Sequence, residues 1–482
     1  MDALLQRLIS HPFSLASVNE MLDVMTTAIE DIQDNDISFA DIRRESFTST
    51  DIMVVNGNLR RFGRSAKAGT IARALVGECW GMASTSESVT TETCKTLLSE
   101  AIKVAKANAR FSRKTLDFSG VKPIRETQWQ QCKVDPETVS SEEKLEFVKS
   151  LDKFQQIDDR IVNRNSLYND TKKIFQLVNT AGSELEWDEI RIRAVVQPVA
   201  REANTMQFNF DFLAGKVGYE LIQNVDPELF CTDCAKGAIE LLSAEKPPSG
   251  TMTVIADSDI SGLIAHEVCG HASEADEVVK KRSFLTDMVG KKIGTDHVTM
   301  VDDGTIEDAA GSYPFDSEGT PASRTVIIEN GVYKGYMHTL ETAILMGVSP
   351  TGNGRAQDYN RRIFARMSNT FFDVGDWSDE EIIVDTKDGL YVNKTLSGME
   401  DVVSGGVQCS ALKGYIIKNG EITQLVRSMT LAGKVLEILK TVDAVGKKLQ
   451  FSGGNCGKGE EDFIPVTSGG PHMRMEMVVG GG

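Results

Sequence analysis

Apolar positions along the first hundred residues switch between two periods. Val18, Met21, Leu22, Met25, Ile29 and Ile32 recur at helical spacing behind a capping box formed by Ser17-Val18-Asn19-Glu20. Three strand-like runs follow, near 37–44, 51–55 and 70–76, and Asn56-Gly57-Asn58 provides a hairpin turn between the second run and residues 59–62. Leu97, Leu98, Ala101, Ile102 and Ala105 then mark one side of a second long helix. The looser segment FSGVKPIRETQWQQCKVDPE closes this helix-and-sheet region, and a domain boundary is expected near residue 118.

The middle of the chain changes period. A helix is expected over Ser141–Phe154, carrying Leu145, Val148, Leu151 and Phe154. Beyond it the pattern alternates: Phe175 and Leu177, then Ile190, Ile192 and Ala194, then Met206, Phe208, Phe210 and Phe212. Period-two patterning with one buried face predicts an antiparallel sheet. A helix over 227–246, with Asp226 as N-cap and Pro227 in its first turn, ends at the breaker Pro247-Pro248-Ser249-Gly250.

The third region, 247–482, reads as a short strand (TMTVIAD), a helix (SGLIAHEVCGHASEADEV) and many short strands. Turns are expected at Asp303-Gly304, Asn330-Gly331, Asp388-Gly389, Asn419-Gly420 and Gly453-Gly454. The expected fold class is therefore α+β, in three parts: an N-terminal α+β domain (1–118), a central helix with an antiparallel sheet (119–246), and a β-rich, barrel-like C-terminal domain carrying one principal helix (247–482).

Chemistry concentrates in that helix. His266 and Glu267 are followed by His271, so the histidines lie five apart, not four as in the H-E-x-x-H signature. On a regular helix this spacing turns them about 140° away from each other. A π-bulge that absorbs one residue would return both imidazoles to one face, and Gly270 makes such a distortion cheaper. The pattern suits either a metal site on an irregular helix or a helix that merely carries two histidines. A catalytic zinc needs a third protein ligand and an open position. Cys456, in the glycine-rich GGNCGKGEEDF, is one candidate, alongside Cys269, His297, His338, Cys409 and His472.

Composition narrows the setting. A net charge of −18 over 482 residues argues against nucleic acid or anionic membranes as partners. The chain shows no apolar run near the ~18 residues that span a bilayer, and the N-terminal MDALLQRLISHPFSLASVNE lacks the apolar core and cleavage site of a signal peptide. A cytoplasmic location is expected. The eight cysteines lack framework spacing, and Cys231-Thr-Asp-Cys234 falls on a helical face as buried core thiols. Glu274 and Asp276 are candidates to hold a histidine N–H. Asp302-Asp303-Gly304 reads as a turn, not a calcium loop, and TGNGR (351–355) lacks the setting of a phosphate loop, although its Arg355 is a candidate substrate contact.

The segments HEVCGHASEAD, VDDGTIEDAAGSYPFDSEGTP, VIIENGVYKGYMHT, SPTGNGR, RMSNT and NCGKGEEDF, in this order and followed by VVGGG, resemble the TldD/TldE (PmbA) family of zinc metallopeptidases, and among them the TldD type. The resemblance covers nearly all of 250–482. It implies metal ligands at His266, His271 and Cys456, one Zn2+ per chain, and Glu267 as general base to a zinc-activated water. It further implies hydrolysis of short or unfolded peptides within a dimer, formed with a second copy or with a TldE-type subunit. After C-G-K the chain departs from the family pattern with Gly459-Glu460-Glu461, which is expected to bring two carboxylates near the site. A non-catalytic zinc scaffold and a cysteine-dependent hydrolase are the alternative functions.

Overall fold

A computed structural model describes residues 15–110 and 115–481; most of the polar N-terminal stretch considered for a signal peptide lies outside them. The first half forms one sheet of β1 (Ile37–Val55), β2 (Asn58–Val76), β3 (Cys79–Thr85), β4 (Arg125–Gln128), β5 (Ile161–Asn179), β6 (Glu184–Glu202), β7 (Thr205–Phe208) and β8 (Asp211–Gly215). Its order is β3-β2-β1-β5-β6-β4, with β7 and β8 also paired to β6. β1 pairs antiparallel with both β2 and β5, so the sheet runs without interruption across residue 118.

Two of the expected strands are parts of one. β1 runs through the polar stretch Glu45–Thr50, joining the runs at 37–44 and 51–55. Alternation explains this. Even-numbered Ala40, Ile42, Ile52 and Val54 pack under helices, while Asp41, Arg43 and Glu45 face the C-terminal domain and are buried by pairing, Arg43 with Glu45 at 3.1 Å and Arg73 with Asp41 and Glu318. At the other end, Asn56 and Gly57 form the expected two-residue turn, both with positive φ (50° and 75°), which suits the right-handed twist of a hairpin. The single strand expected over 206–212 is split between β7 and β8.

Four long helices cover the apolar face: α1 (Leu15–Glu30), α2 (Thr91–Ala109), α3 (Ser141–Phe154) and α4 (Pro227–Glu240). α1 runs through Ser17 instead of starting there. α4 starts at its Asp226 cap as expected but ends near Leu241, short of the prolines. Cys231 and Cys234 are buried in the core beneath α3 and α4, and burial raises both thiol pKa values, that of Cys231 to about 12.

The C-terminal half contains β9 (Gly250–Ala256), β10 (Met300–Asp303), β11 (Arg324–Glu329), β12 (Val332–Tyr333), β13 (Gly354–Arg355), β14 (Phe364–Ala365), β15 (Asn369–Phe372), β16 (Asp388–Asp401), β17 (Gly406–Lys418), β18 (Glu421–Lys434), β19 (Ala444–Val445), β20 (Gln450–Lys458), β21 (Glu461–Gly470) and β22 (Met473–Gly481). The order β18-β17-β16-β9-β22 closes on itself because β18 also pairs with β22, giving the expected barrel. A second sheet, β12-β11-β10-β15-β21-β20, lies beside it and ends on β20. Asn330-Gly331 and Asn419-Gly420 are tight turns with positive φ. The other expected turns are not hairpins. Asp303 ends β10, whose partner β11 starts only at Arg324; Asp302 is buried and accepts bonds from the backbone N–H and the hydroxyl of Ser368, the Thr370 hydroxyl and the Asn353 amide. Gly389 and Gly453 lie inside strands, where glycine allows close approach: a Cβ would lie 2.9 Å from Thr253 O and from the Ala214 and Ala310 Cβ atoms, respectively. Among the described residues no helix is long and apolar enough to cross a membrane.

Candidate metal centre

The barrel strand β9 delivers the chain directly into α5 (Ser258–Ala265). Asp257 caps this helix, accepting from the backbone N–H groups of Asp259 at 3.1 Å and Ile260 at 2.9 Å. α5 is wedged between barrel and second sheet, and its Gly262 is so close to β21 that a Cβ would sit 2.6 Å from the Gly469 nitrogen. At His266 the helix widens into a π turn, His266–Gly270, in which the His271 N–H donates to the His266 carbonyl. The expected bulge is therefore present, and it brings the two imidazoles to one side. Gly270 has an ordinary helical φ of −57°. Space, not backbone freedom, requires it: a Cβ there would lie 2.2 Å from the Met367 sulfur.

One helix was expected to continue through 278, but the chain is broken after a 3-10 turn (His271–Ser273). Glu274 is extended, and α6 (Ala275–Val279) begins beyond it. This break places the Glu274 carboxylate 3.1 Å from Nδ1 of His271, on the opposite side of the ring from Nε2.

Cys456 arrives from β20. The glycine-rich segment around it is a strand and not a loop; the turn comes later, at Gly459-Glu460, with φ +62° at Gly459. A register shift between Cys456 and Lys458 bends the strand there. The Cys456 sulfur lies 3.2 Å from Nε2 of His266 and 3.2 Å from Nε2 of His271. One donor atom from each of the three residues falls within 4.8 Å of the others, a grouping no other His, Cys, Asp or Glu joins among the described residues. Two imidazole nitrogens and a sulfur are a donor set that suits a borderline-soft divalent ion, with a position left over.

Electrostatics favour this arrangement. Burial opposes ionisation of Cys456, yet the two imidazoles beside it hold its thiol well below the ordinary value. Burial alone would lower the His271 pKa; the Glu274 carboxylate and the Cys456 sulfur carry it well above. Glu274 is itself buried, and Lys458, His271 and Arg366 overcome that burial and hold its carboxyl at about 2. Lys458 reaches Glu274 at 2.9 Å and Asp276 at 2.6 Å, while Arg366 donates to the Cys456 carbonyl at 2.8 Å and pairs with Glu461 at 2.6 Å. Arg366 and Lys458 had no part in the sequence-based site. Their signals were the K of C-G-K for Lys458 and the opening R of RMSNT for Arg366.

Glu267 is half-buried on the wall of a cavity of about 710 Å3 that also contains His266, His271 and Cys456. It lies against Gly398 of β16, where a Cβ would come 2.4 Å from the Glu267 Cγ. A glycine inside the strand LSGMED is the sequence signal for that close approach. Glu400, two residues on, lines the same cavity and has its carboxyl lifted to about 9 by burial.

The remaining candidates lie elsewhere. Arg355 is buried away from this cavity, donating to the carbonyls of Met367 (2.6 Å) and Pro465 (2.8 Å). Of the two added carboxylates, Glu461 is buried against Arg366 and Glu460 is exposed on the turn. Cys269 and Cys409 are buried thiols whose pKa values burial raises, Cys409 to about 12. His338 faces the Thr342 hydroxyl, and His472 lies between Asp379 and Tyr391.

Comparison with known proteins agrees over most of the chain. Residues 249–481 match the PmbA/TldA metallopeptidase C-terminal domain, 134–244 its central domain and 40–109 its domain 1. A protein of Methanocaldococcus jannaschii named a metalloprotease is 37% identical over 439 residues, 90% of this chain and 95% of that protein. Crystal structures of a Thermotoga maritima protein (TM-score 0.78, 23% identity, 96% and 100% of the two chains) and of TldE from Thermococcus kodakarensis (TM-score 0.72, 19% identity, 96% and 99%) share the fold. The chain belongs to the PmbA/TldD family of metallopeptidases.

Proposed function

We propose that this chain is the catalytic subunit of a zinc peptidase that hydrolyses short or unfolded peptides. The observation that carries the proposal is the meeting of two imidazole nitrogens and the Cys456 sulfur on the wall of a large cavity, with Glu267 on the same wall. His266, His271 and Cys456 would hold one zinc ion. When bound, zinc supplies Lewis acidity to a scissile carbonyl and lowers the pKa of a water molecule it holds. Glu267 acts as the base. It takes a proton from the water as the new C–O bond forms, and returns that proton to the amine as the C–N bond breaks. Glu274 fixes the orientation of the His271 ring through Nδ1, with Lys458 and Arg366 holding Glu274 in place.

Two strand edges suit an extended peptide. Among the described residues β20 pairs only with β21, and β16 leaves β9 beyond Val392; residues of both strands line the cavity. Backbone hydrogen bonding along either edge would hold a peptide with little regard to its side chains. The chain would act as a dimer, with a second copy or a TldE-type subunit.

Elemental analysis of the unmodified protein and of Cys456→Ser tests the ligand set: about one zinc per chain is expected in the first and a large loss in the second. Glu267→Gln should keep the metal and lose peptide hydrolysis by about 10²-fold or more. The sulfur between two imidazoles also suits a cysteine nucleophile. Activity that survives chelation but is abolished by alkylation would establish that reading and exclude the zinc mechanism.

A further inference from the structure

The strand β6 carries WDEIRIRAV, in which Ile190, Ile192 and Ala194 point to the helix-covered core. Glu189, Arg191 and Arg193 alternate with them and face the C-terminal domain. Glu189 and Arg191 pair with each other, and Arg191 donates to the carbonyls of Ala310 (2.7 Å) and Ser312 (2.8 Å). Arg193, one step further along the same face, is different. Its Nε is buried without a hydrogen-bond partner, and its guanidinium lies 5.7 Å from the ring of Phe212. Burial lowers its pKa with no nearby carboxylate to offset the effect.

Arg193 lines the cavity that holds His266, Glu267 and Cys456. Among the described residues of the wall, Lys458 is the only other lysine or arginine, and Glu274 and Asp276 already neutralise it. Asp259, also on the wall, is committed to the Thr395 N–H (2.8 Å) and the Ser452 hydroxyl (2.9 Å), and so bridges β16 and β20. The cavity therefore has carboxylates at its metal end and one uncompensated guanidinium contributed by the N-terminal sheet.

We propose that Arg193 is a specificity-determining residue that binds a carboxylate of the peptide, either its C-terminus or an aspartate or glutamate side chain. A guanidinium offers two parallel N–H donors that match a carboxylate, and the Phe212 ring limits its rotation. Glu267 on the same wall makes a doubly charged phosphate a poorer fit than a singly charged carboxylate. A carboxylate docked on Arg193 would fix which way the chain runs along the strand edges and which bond reaches Glu267. This rests on the peptidase reading above.

The test is direct binding, by fluorescence anisotropy, of three labelled alanine-rich pentapeptides to the zinc-loaded protein: a free acid, its C-terminal amide, and an amide with one internal glutamate. The free acid is expected to bind about tenfold or more tightly than the plain amide, with Arg193→Gln removing the difference and Arg193→Lys keeping part of it. Tight binding of the glutamate amide assigns the site to side chains; weak binding assigns it to the C-terminus. Equal affinities for all three, absence of binding by any, or selectivity that survives in Arg193→Gln would overturn the proposal. Acid-selective binding without hydrolysis would remove the peptidase reading and leave the carboxylate site in place.

Discussion

The Glu274 carboxylate meets Nδ1 of His271 at 3.1 Å, while Nε2 of the same ring meets the Cys456 sulfur at 3.2 Å. One imidazole is thus gripped from both sides, and the carboxylate fixes which nitrogen is free to bind a metal. Glu274→Gln should weaken zinc affinity by about 10- to 100-fold. Lys458 keeps Asp276 and Arg366 keeps Glu461, so the variant should still fold. Competition with a chelator of known affinity, on folded protein verified by circular dichroism, measures the loss; unchanged affinity would mean that the contact does not orient the ligand.

Gly398→Ala addresses the base without touching it. The added methyl group would lie 2.4 Å from the Glu267 Cγ, so the carboxylate must move. Zinc content should be unchanged while kcat falls about tenfold or more, since small displacements of a reacting group are costly. Side-by-side metal analysis and peptide turnover decide the matter.

Asp257 ties stability to pH. Both N–H groups of the α5 cap bond to one of its oxygens, and burial lifts its carboxyl from 3.8 to about 7. The folded protein therefore keeps a proton that the unfolded chain releases near 3.8. This contribution to stability is complete below about pH 4 and is lost as pH rises toward about 7. Asp257→Asn keeps a cap oxygen and should flatten that part of the profile. Urea unfolding midpoints between pH 4 and 7, compared for the two proteins, provide the measurement.

Local pattern revealed the elements far better than their assembly. The hairpin at Asn56-Gly57, the limits of Ser141–Phe154 and the π turn at Gly270 each follow from a few neighbouring residues, and each was legible. Long β1 was not, because its middle, Glu45–Thr50, is almost wholly polar and has no apolar alternation, although Glu45, Ser46 and Thr50 are buried, Glu45 by its pair with Arg43. A different limit hid Arg366 and Gly398. Their roles depend on Glu274 and Glu267, which are remote in sequence, whereas His266 and His271 share one helical segment. The missing Cβ of Gly270 was legible as a reason for glycine there, but the Met367 sulfur that a Cβ would meet lies on another element and was not.

His271 and Cys456 are separated by 185 positions. An ion held by both would act as a removable cross-link between the start of the C-terminal region and its end, closing a loop whose chain-entropy cost is on the order of 5 kcal/mol. Chelation would then release a staple as well as disable chemistry. The stripped protein should melt at a lower temperature, and β20, an edge strand whose one strand partner among the described residues is β21, should be the first strand to exchange its amide protons.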